Sequence, residues 1–408
     1  VSLVFELPEI SVEELSVGES HYQLVTIPGG ALKGDAGAPA LPTFARLIAI
    51  PDAAGVQVSV VSEQEEELDG FNLLPMQPNE GNEFAYDLAA YSRDSYNEES
   101  PASVGSPAMM RDLRVVPITF RPVRFNPVRG TLSVTRRMRI DVEFTETDLR
   151  NVRQERQRPI PPSFHRMYQE VVVNYADWLG GREEMVAPGT YLVICPNSSS
   201  VTTRLQPLLD WRERKGMPVY LATTGETGTS RTQIKSYIQN AYNNWAIPPE
   251  YVVFAGDADG TYAIPTWFES YSGYGGEGDH PYGQLDGGDI LLDVHLGRLS
   301  FNDLTQLETI VSKSVGYEDD PAIGTDPEWF TRACLVGDPY ASGPSCVEVQ
   351  RWIKSRLIPL GYTDVDTIFG GSFVTEMRTA LNRGDTIFSY RGYYGMSGWT
   401  NSNTSQLT

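Results

Sequence analysis

The chain has 408 residues, a formal net charge of −21, four histidines and three cysteines. That length calls for two or three domains, each large enough to fold without disulfides. The acidic balance excludes a general nucleic-acid binder, because no global positive field attracts phosphates, and no run approaches the roughly 18 apolar residues of a membrane helix.

Residues 1–147 read as a β-rich domain, an antiparallel sandwich or barrel. Short alternating or β-branched runs at Tyr22 to Ile27, Ala45 to Ile50, Val56 to Val61, Leu113 to Phe120, Thr131 to Val134 and Met138 to Phe144 are separated by Pro and Gly. Val1 opens inside a strand-like run, Val1 to Leu7, so a leader is expected to have been removed ahead of it. The charge here is lopsided. Glu63, Glu65, Glu66 and Glu67 precede Arg111, Arg114, Arg121, Arg124, Arg129, Arg136, Arg137 and Arg139. Period two places many of these arginines on one solvated face, or else on a basic face that docks onto the acidic second half.

Residues 148–188 form a linker and connecting helix. Asp148 to Pro162 is polar and closed by prolines, with Arg150, Arg153, Arg156 and Arg158 predicted to be exposed and open to a trypsin-like protease. Phe164 to Leu179 follows as one short amphipathic helix stopped by Gly180 and Gly181.

After Gly189 the period changes. Apolar strands at Tyr191 to Cys195, Pro218 to Ala222, Tyr251 to Ala255, Val294 to Leu296, Ala333 to Val336 and Thr386 to Tyr390 alternate with helical patterns at Val201 to Lys215, Thr232 to Trp245, Asn302 to Tyr317, Cys346 to Leu360 and Phe373 to Leu381. This alternation predicts β-α-β crossovers and a mostly parallel sheet, in two subdomains, 189–325 and 326–408.

In such sheets ligands bind outside the carboxyl ends of the strands. Three loops qualify. In the first, Gly256 to Gly260, Asp257 and Asp259 are placed to meet a hard cation with Asp286, Asp289 and Asp293 of the next loop; calcium is the expected ion, with an acidic turn as the plainer alternative. In the second, the long stretch Phe268 to Ile290, Asp279 either pairs with a substrate cation or braces the loop. The third, Arg391 to Trp399, offers glycines for close backbone approach and Tyr393, Tyr394 and Trp399 as pocket walls. Of the histidines, His280 alone lies in a site loop, whereas His295 reads as a satisfied buried or half-buried imidazole and His21 and His165 lie outside the α/β half. Cys195 reads as a buried thiol, and Cys334 and Cys346 pair only if their elements are adjacent. No organic cofactor is expected.

Gly37-Ala-Pro-Ala-Leu-Pro42 with Ile48-Ala-Ile-Pro51, Val253-Phe-Ala-Gly-Asp257, Asp279-His-Pro-Tyr-Gly-Gln284, Asp286-Gly-Gly-Asp289, His295-Leu-Gly-Arg-Leu-Ser300, Gly337-Asp-Pro339 with Ser342-Gly343, and Tyr390-Arg-Gly392 follow one another in an order and spacing that resembles the gingipain-type cysteine peptidases over almost the whole chain. The resemblance implies a β-rich propeptide docked on a caspase-like catalytic domain that is incomplete at its carboxyl end. It further implies a secreted or cell-surface protein acting on peptide or protein substrates. It puts Tyr393 where the family has its catalytic His, and places the nucleophilic Cys on the next strand, beyond Thr408. It makes Asp279 the acidic residue of the primary specificity pocket, with Tyr282, Tyr394 and Trp399 beside it, and the arginine-rich part of the first domain an inhibitor of that pocket. A phenol with a pKa near 10 is a poor base at neutral pH. The alternative is therefore an inactive peptidase-like surface, binding or filament protein that self-associates.

Overall fold

The structure, a computed structural model, describes residues 1–78, 84–97, 100–152, 158–180, 185–271, 274–321, 326–339 and 345–392. Two compact units divide it, Val1–Val315 and Gly316–Thr408.

The first domain is built from β1 (Ser2–Glu6), β2 (Ser11–Val17), β3 (Ser20–Thr26), β4 (Ala31–Lys33), β5 (Leu41–Ala49), β6 (Ala54–Asp69), a turn of helix α1 (Leu88–Tyr91), β7 (Ala102–Val104), β8 (Ala108–Met110), β9 (Leu113–Phe120), β10 (Val123–Asn126) and β11 (Thr131–Thr147). Strands β1, β6, β10 and β11 form one antiparallel sheet, and β4, β5, β7, β8 and β9 another. Phe5 of β1, Phe44 of β5, Phe120 of β9 and Met138 of β11 share one core, with the Phe5 and Phe120 rings stacked at 5.0 Å. Burial of side chains from both inner faces in a single layer is the arrangement of a sandwich. Where the sequence suggests two strands, Thr131 to Val134 and Met138 to Phe144, there is one, β11, bulged between Thr135 and Arg137 against β6.

The arginine-rich stretch divides into two populations. Arg124 pairs with Glu65 at 2.6 Å and Arg136 with Glu66 at 2.7 Å, so the acidic run on β6 takes up two of these arginines, and Glu6 of β1 lies 3.7 Å from a third, Arg137. Arg111 and Arg114, expected on the same solvated face, are instead buried, at 2% and 0% exposure.

Two helices, α2 (Pro162–Val171) and α3 (Tyr175–Leu179), replace the single connecting helix. The break has a local cause. In the β-branched run Val171-Val172-Val173, Val172 leaves the helix to bridge Leu47 of β5, and Asn174 bonds both the N–H and C=O of Ala49 at 2.7 and 2.9 Å. Phe164, Tyr168, Val172, Tyr175 and Leu179 then complete a core with Ala49, Met110, Leu113 and Val115, so the helix pair belongs to the first domain by packing. Part of the supposed linker is packed too: Arg158, predicted to be exposed, has a side chain only 8% exposed, 3.2 Å from Asp112. Arg153 and Arg156 lie outside the described residues.

The rest of the first unit contains β12 (Thr190–Cys195), α4 (Ser199–Arg214), β13 (Val219–Thr223), α5 (Thr224–Thr227), α6 (Arg231–Asn244), β14 (Pro249–Ala255), the hairpin β15 (Trp267–Tyr271) and β16 (Tyr274–Gly278), α7 (His280–Gly283), β17 (His295–Leu299) and α8 (Leu304–Asp319), whose last turn crosses into the second unit. Strands β13-β12-β14-β17 are parallel, in that order. Alternate residues of β12 face opposite cores: Tyr191, Val193 and Cys195 pack with α4 and α8, and Leu192 and Ile194 with α6. The long stretch read as a loop holds the β15–β16 hairpin and α7. The second unit has β18 (Arg332–Gly337), α9 (Ser345–Leu357), β19 (Asp364–Ile368), α10 (Phe373–Arg383) and β20 (Ile387–Arg391), with parallel order β19-β18-β20. The architecture is therefore a β-rich amino-terminal domain followed by a parallel α/β region.

Candidate functional site

Each parallel sheet has a point where successive crossovers leave in opposite directions, and there a crevice opens at the carboxyl ends of two strands. In the first unit it lies between β12 and β14. Gly256 ends β14; a Cβ there would stand 2.2 Å from Tyr262 O, so only glycine lets the chain turn against the following loop. Asp257 comes next, its Oδ1 accepting from Ala258 N at 2.9 Å and Ser300 Oγ at 2.8 Å. The Ser300 hydroxyl is the main reason its pKa lies below the ordinary carboxylate value.

Asp279 stands at the start of α7, and the structure gives it the bracing arrangement. Arg298, carried in by β17, donates Nη2 to Oδ1 at 2.7 Å and Nε to Oδ2 at 2.8 Å, so the fork occupies both carboxylate oxygens. Its Nη1 reaches Gly256 O and Ile264 O, each at 2.8 Å. One guanidinium thus joins β17, the end of β14 and the start of α7. Tyr282, expected beside the pocket, is buried in the core behind α6. It is 0% exposed, its ring lies 4.6 Å from Phe254, and its hydroxyl donates to Pro265 O, with burial pushing the phenol up to about 12. His280 is likewise committed, Nε2–H donating to Ile290 O at 2.9 Å.

The aspartates expected to gather around calcium are spread among separate tasks. Asp289 holds Met109 N and Leu291 N, one on each oxygen, at 2.7 and 2.9 Å, and Asp259 is exposed. Among the described residues no group of three or more His, Cys, Asp or Glu side chains is placed to hold a metal ion. Asp257, Asp259, Asp286 and Asp289 therefore do not make an assembled cage.

In the second unit the crevice lies between β18 and β20. Asp338, one residue beyond β18, is 4% exposed; its N–H donates to Arg391 O at 2.9 Å and its Oδ2 accepts from Tyr390 OH at 3.4 Å. A Cβ on Gly392 would meet Asp338 Cβ at 2.7 Å, so the glycine admits this carboxylate beside the backbone that leads to residue 393. In the sequence Asp338 stands out only as the middle residue of Gly337-Asp-Pro339. A carboxylate just after the apolar run Ala333–Val336 was the available signal. Tyr393, Tyr394 and Trp399 lie outside the described residues.

The model of peptidase family C25 matches residues 186–408, more than half of the chain, and that of the C25 propeptide matches residues 1–164. The chain belongs to peptidase family C25. Among its relatives, Gingipain R1 of Porphyromonas gingivalis is 23% identical over 98% of this chain and 40% of that protein, and Lys-gingipain W83 of the same organism is 26% identical over 99% of this chain and 24% of that protein. The chain thus spans less than half the length of these two. Solved structures that match include the complex of Porphyromonas gingivalis RgpB pro- and mature domains, at 21% identity over 43% of this chain and 91% of that one with a TM-score of 0.39, and gingipain R, at 21% identity over 54% of this chain and 51% of that one with a TM-score of 0.46. The first domain matches the C25 propeptide and shares one compact unit with the part of the peptidase region that ends at Val315.

A C25 peptidase is a cysteine peptidase, yet none of the cysteines here is placed to attack. Cys195, Cys334 and Cys346 are all free and buried. Burial pushes the thiols of Cys195 and Cys334 up to about 12, far from the thiolate a nucleophile requires. Among the described residues no helix is long and apolar enough to cross a membrane.

Proposed function

We propose that this is the proform of a secreted or cell-surface gingipain-like cysteine endopeptidase acting on peptide or protein substrates. The observation that carries the reading is the joint match of propeptide and peptidase models in their expected order, on a chain whose β-rich and parallel α/β regions divide at the same place. Catalysis in this reading needs a thiolate that none of the three buried cysteines supplies, so the nucleophile belongs to sequence outside these 408 residues. Asp279, already forked by Arg298, acts as a structural brace in this reading, so a preference for a basic side chain is left to the substrate assay below.

A second reading, an inactive peptidase-like binding or assembly protein that self-associates, is favoured by one observation. Tyr393 stands where the resemblance puts the catalytic histidine. The two are separated by expressing the full coding region and measuring hydrolysis of arginyl, lysyl and uncharged peptide substrates before and after thiol alkylation. Hydrolysis abolished by alkylation is the expected result. A coding region with no further cysteine, or hydrolysis indifferent to alkylation, overturns the peptidase reading. A chelator in the same assay tests calcium. With no assembled ligand set, neither rate nor melting temperature is expected to change.

A further inference from the structure

The amino-terminal ends of β14 and β17, opposite the crevice just described, hold three buried charged groups that the peptidase reading does not use: Arg111, Glu250 and Asp293. Arg111 stands in the turn between β8 and β9 of the first domain. Its Nη1 donates to Pro249 O at 2.8 Å and to Asp293 O at 2.5 Å, while its backbone N–H donates to Asp293 Oδ1 at 3.0 Å. The guanidinium lies over the rings of Phe164 at 5.0 Å and Tyr242 at 5.4 Å, with Nε 3.5 Å from Asp112. Oδ2 of Asp293 accepts from Leu285 N and Asp286 N, each at 2.7 Å, so the same carboxylate gathers both domains.

The contact extends to either side. Met109 N donates to Asp289 Oδ2 at 2.7 Å, and Gly288 N to Asn151 Oδ1 at 2.7 Å. At the start of α2, Ser163 donates its hydroxyl to Glu250 Oε1 at 2.5 Å, leaving its oxygen to accept from His295 Nε2 at 2.8 Å. A second observation is independent of these bonds. Among the described residues two non-glycine positions have left-handed backbone, Arg111 at φ 51° and Asn151 at φ 47°, and both lie in this contact. A side chain held there costs free energy and persists only where its surroundings over-determine it, which marks the place as one where the fold accepts strain for a task.

We propose that this contact is a latch: the β8–β9 turn and Asn151 dock onto the loop Leu285–Asp293 and the amino ends of β14 and β17, and Arg111 decides how tightly the first domain holds the second once the connector is cut. Because the latch grips the strand ends opposite Gly256 and Asp279, holding the propeptide and covering the crevice are separate tasks carried by separate surfaces. The inference stands whether or not the completed protein hydrolyses peptides, since its readout is binding.

The test uses the whole protein with a recognition sequence for a site-specific protease placed at 181–184, cut after folding. The two parts of the otherwise unaltered protein are expected to co-elute and to dissociate slowly. Arg111→Ala, which leaves the carbonyls of Pro249 and Asp293 without their guanidinium donor while the backbone bond to the Asp293 carboxylate can remain, is expected to raise the dissociation constant at least about a hundredfold. Asn151→Gly, which accepts the left-handed backbone and loses the side-chain bonds to Gly288 N across the contact and to Pro107 O within the first domain, is expected to raise it a few-fold and keeps the test open if Arg111→Ala does not fold. Cut parts that separate without any substitution, or an unchanged dissociation constant in both variants, overturn the latch.

Discussion

Arg114 and Arg136 come from one stretch of the first domain, carry the same side chain and sit one on each sheet of a β-sandwich, on β9 and β11, yet they do opposite things. Arg136 lies at the surface with one carboxylate, Glu66, at 2.7 Å, its side chain 38% exposed. Arg114 is fully buried, and all five of its N–H donors are used on backbone carbonyls: Asn151 at 2.8 Å, Pro51 at 3.1 Å, Ala54 at 2.7 Å, Asp148 at 2.9 Å and Arg150 at 2.8 Å. The first is an ion pair in competition with water. The second is a frame that fixes where the sandwich ends and the connector begins. Burial and the identity of the acceptor, rather than charge, decide what an arginine contributes.

The comparison breaks most visibly at Arg114. Arg114→Ala leaves five carbonyls to find other partners and is expected to cost about 3–5 kcal/mol, read as a lower denaturant midpoint. Arg114→Lys, with a single ammonium that cannot span the fork, should recover less than half of that. A stability close to that of the unaltered protein would show that the frame is not what orders this corner. Arg298 is the intermediate case, with a side chain 15% exposed that serves both a carboxylate and two carbonyls. Arg298→Ala is expected to cost about 2–3 kcal/mol, and Asp279→Asn, which keeps one acceptor, clearly less. Equal losses in the two variants would mean that the ion pair, not the carbonyl contacts, holds the crevice together.

This distinction marks the limit of what the sequence discloses. Strands such as Tyr191 to Cys195 are legible because every residue in them is apolar and buried, and Leu113 to Phe120 because its turns are marked on both sides. Strand β19, Asp364–Ile368, escapes notice because its aspartates look like loop; Arg383 neutralises Asp364 and Asp366 at 3.1 and 3.0 Å. The β15–β16 hairpin is hidden by the glycines of its second strand, which remove the alternation that would announce it. The Asp279–Arg298 fork spans 19 positions and becomes visible only when β17 is set beside β14 with Arg298 opposite Phe254. Buried arginines leave no periodic mark, since an arginine facing in and one facing out occupy the same alternation. The one local clue was Arg111-Asp112, a charged pair set between the strand runs Ala108–Met110 and Leu113–Phe120.

A smaller effect tests the surface side of the comparison through pH. Asp148 is held at a pKa of about 2, first by the Arg150 side chain, with bonds of 2.7 to 3.2 Å, and then by the Arg150 backbone N–H. A carboxylate whose pKa in the folded state is depressed contributes stability above its unfolded value, near 3.9, and loses that contribution as pH falls through about 2. In Arg150→Ala the Asp148 titration, followed by NMR, should move up toward the ordinary carboxylate range. An unmoved midpoint would assign the shift to the backbone instead.

The smallest effect is expected at Arg136→Ala. Both partners of its pair are more than a third exposed, the pair competes with bulk water, and its geometry is one bond to one oxygen, so the change in stability should lie within about 0–1 kcal/mol and shrink further in molar salt. The informative measurement is the double-mutant cycle with Glu66→Ala, in which coupling above about 1 kcal/mol would show that the acidic and basic strands act as a network rather than as separate pairs. In that event the surface arginines would share in setting the β6–β11 register, which is bulged beside Arg136, and the separation between framing and surface arginines would have to be redrawn.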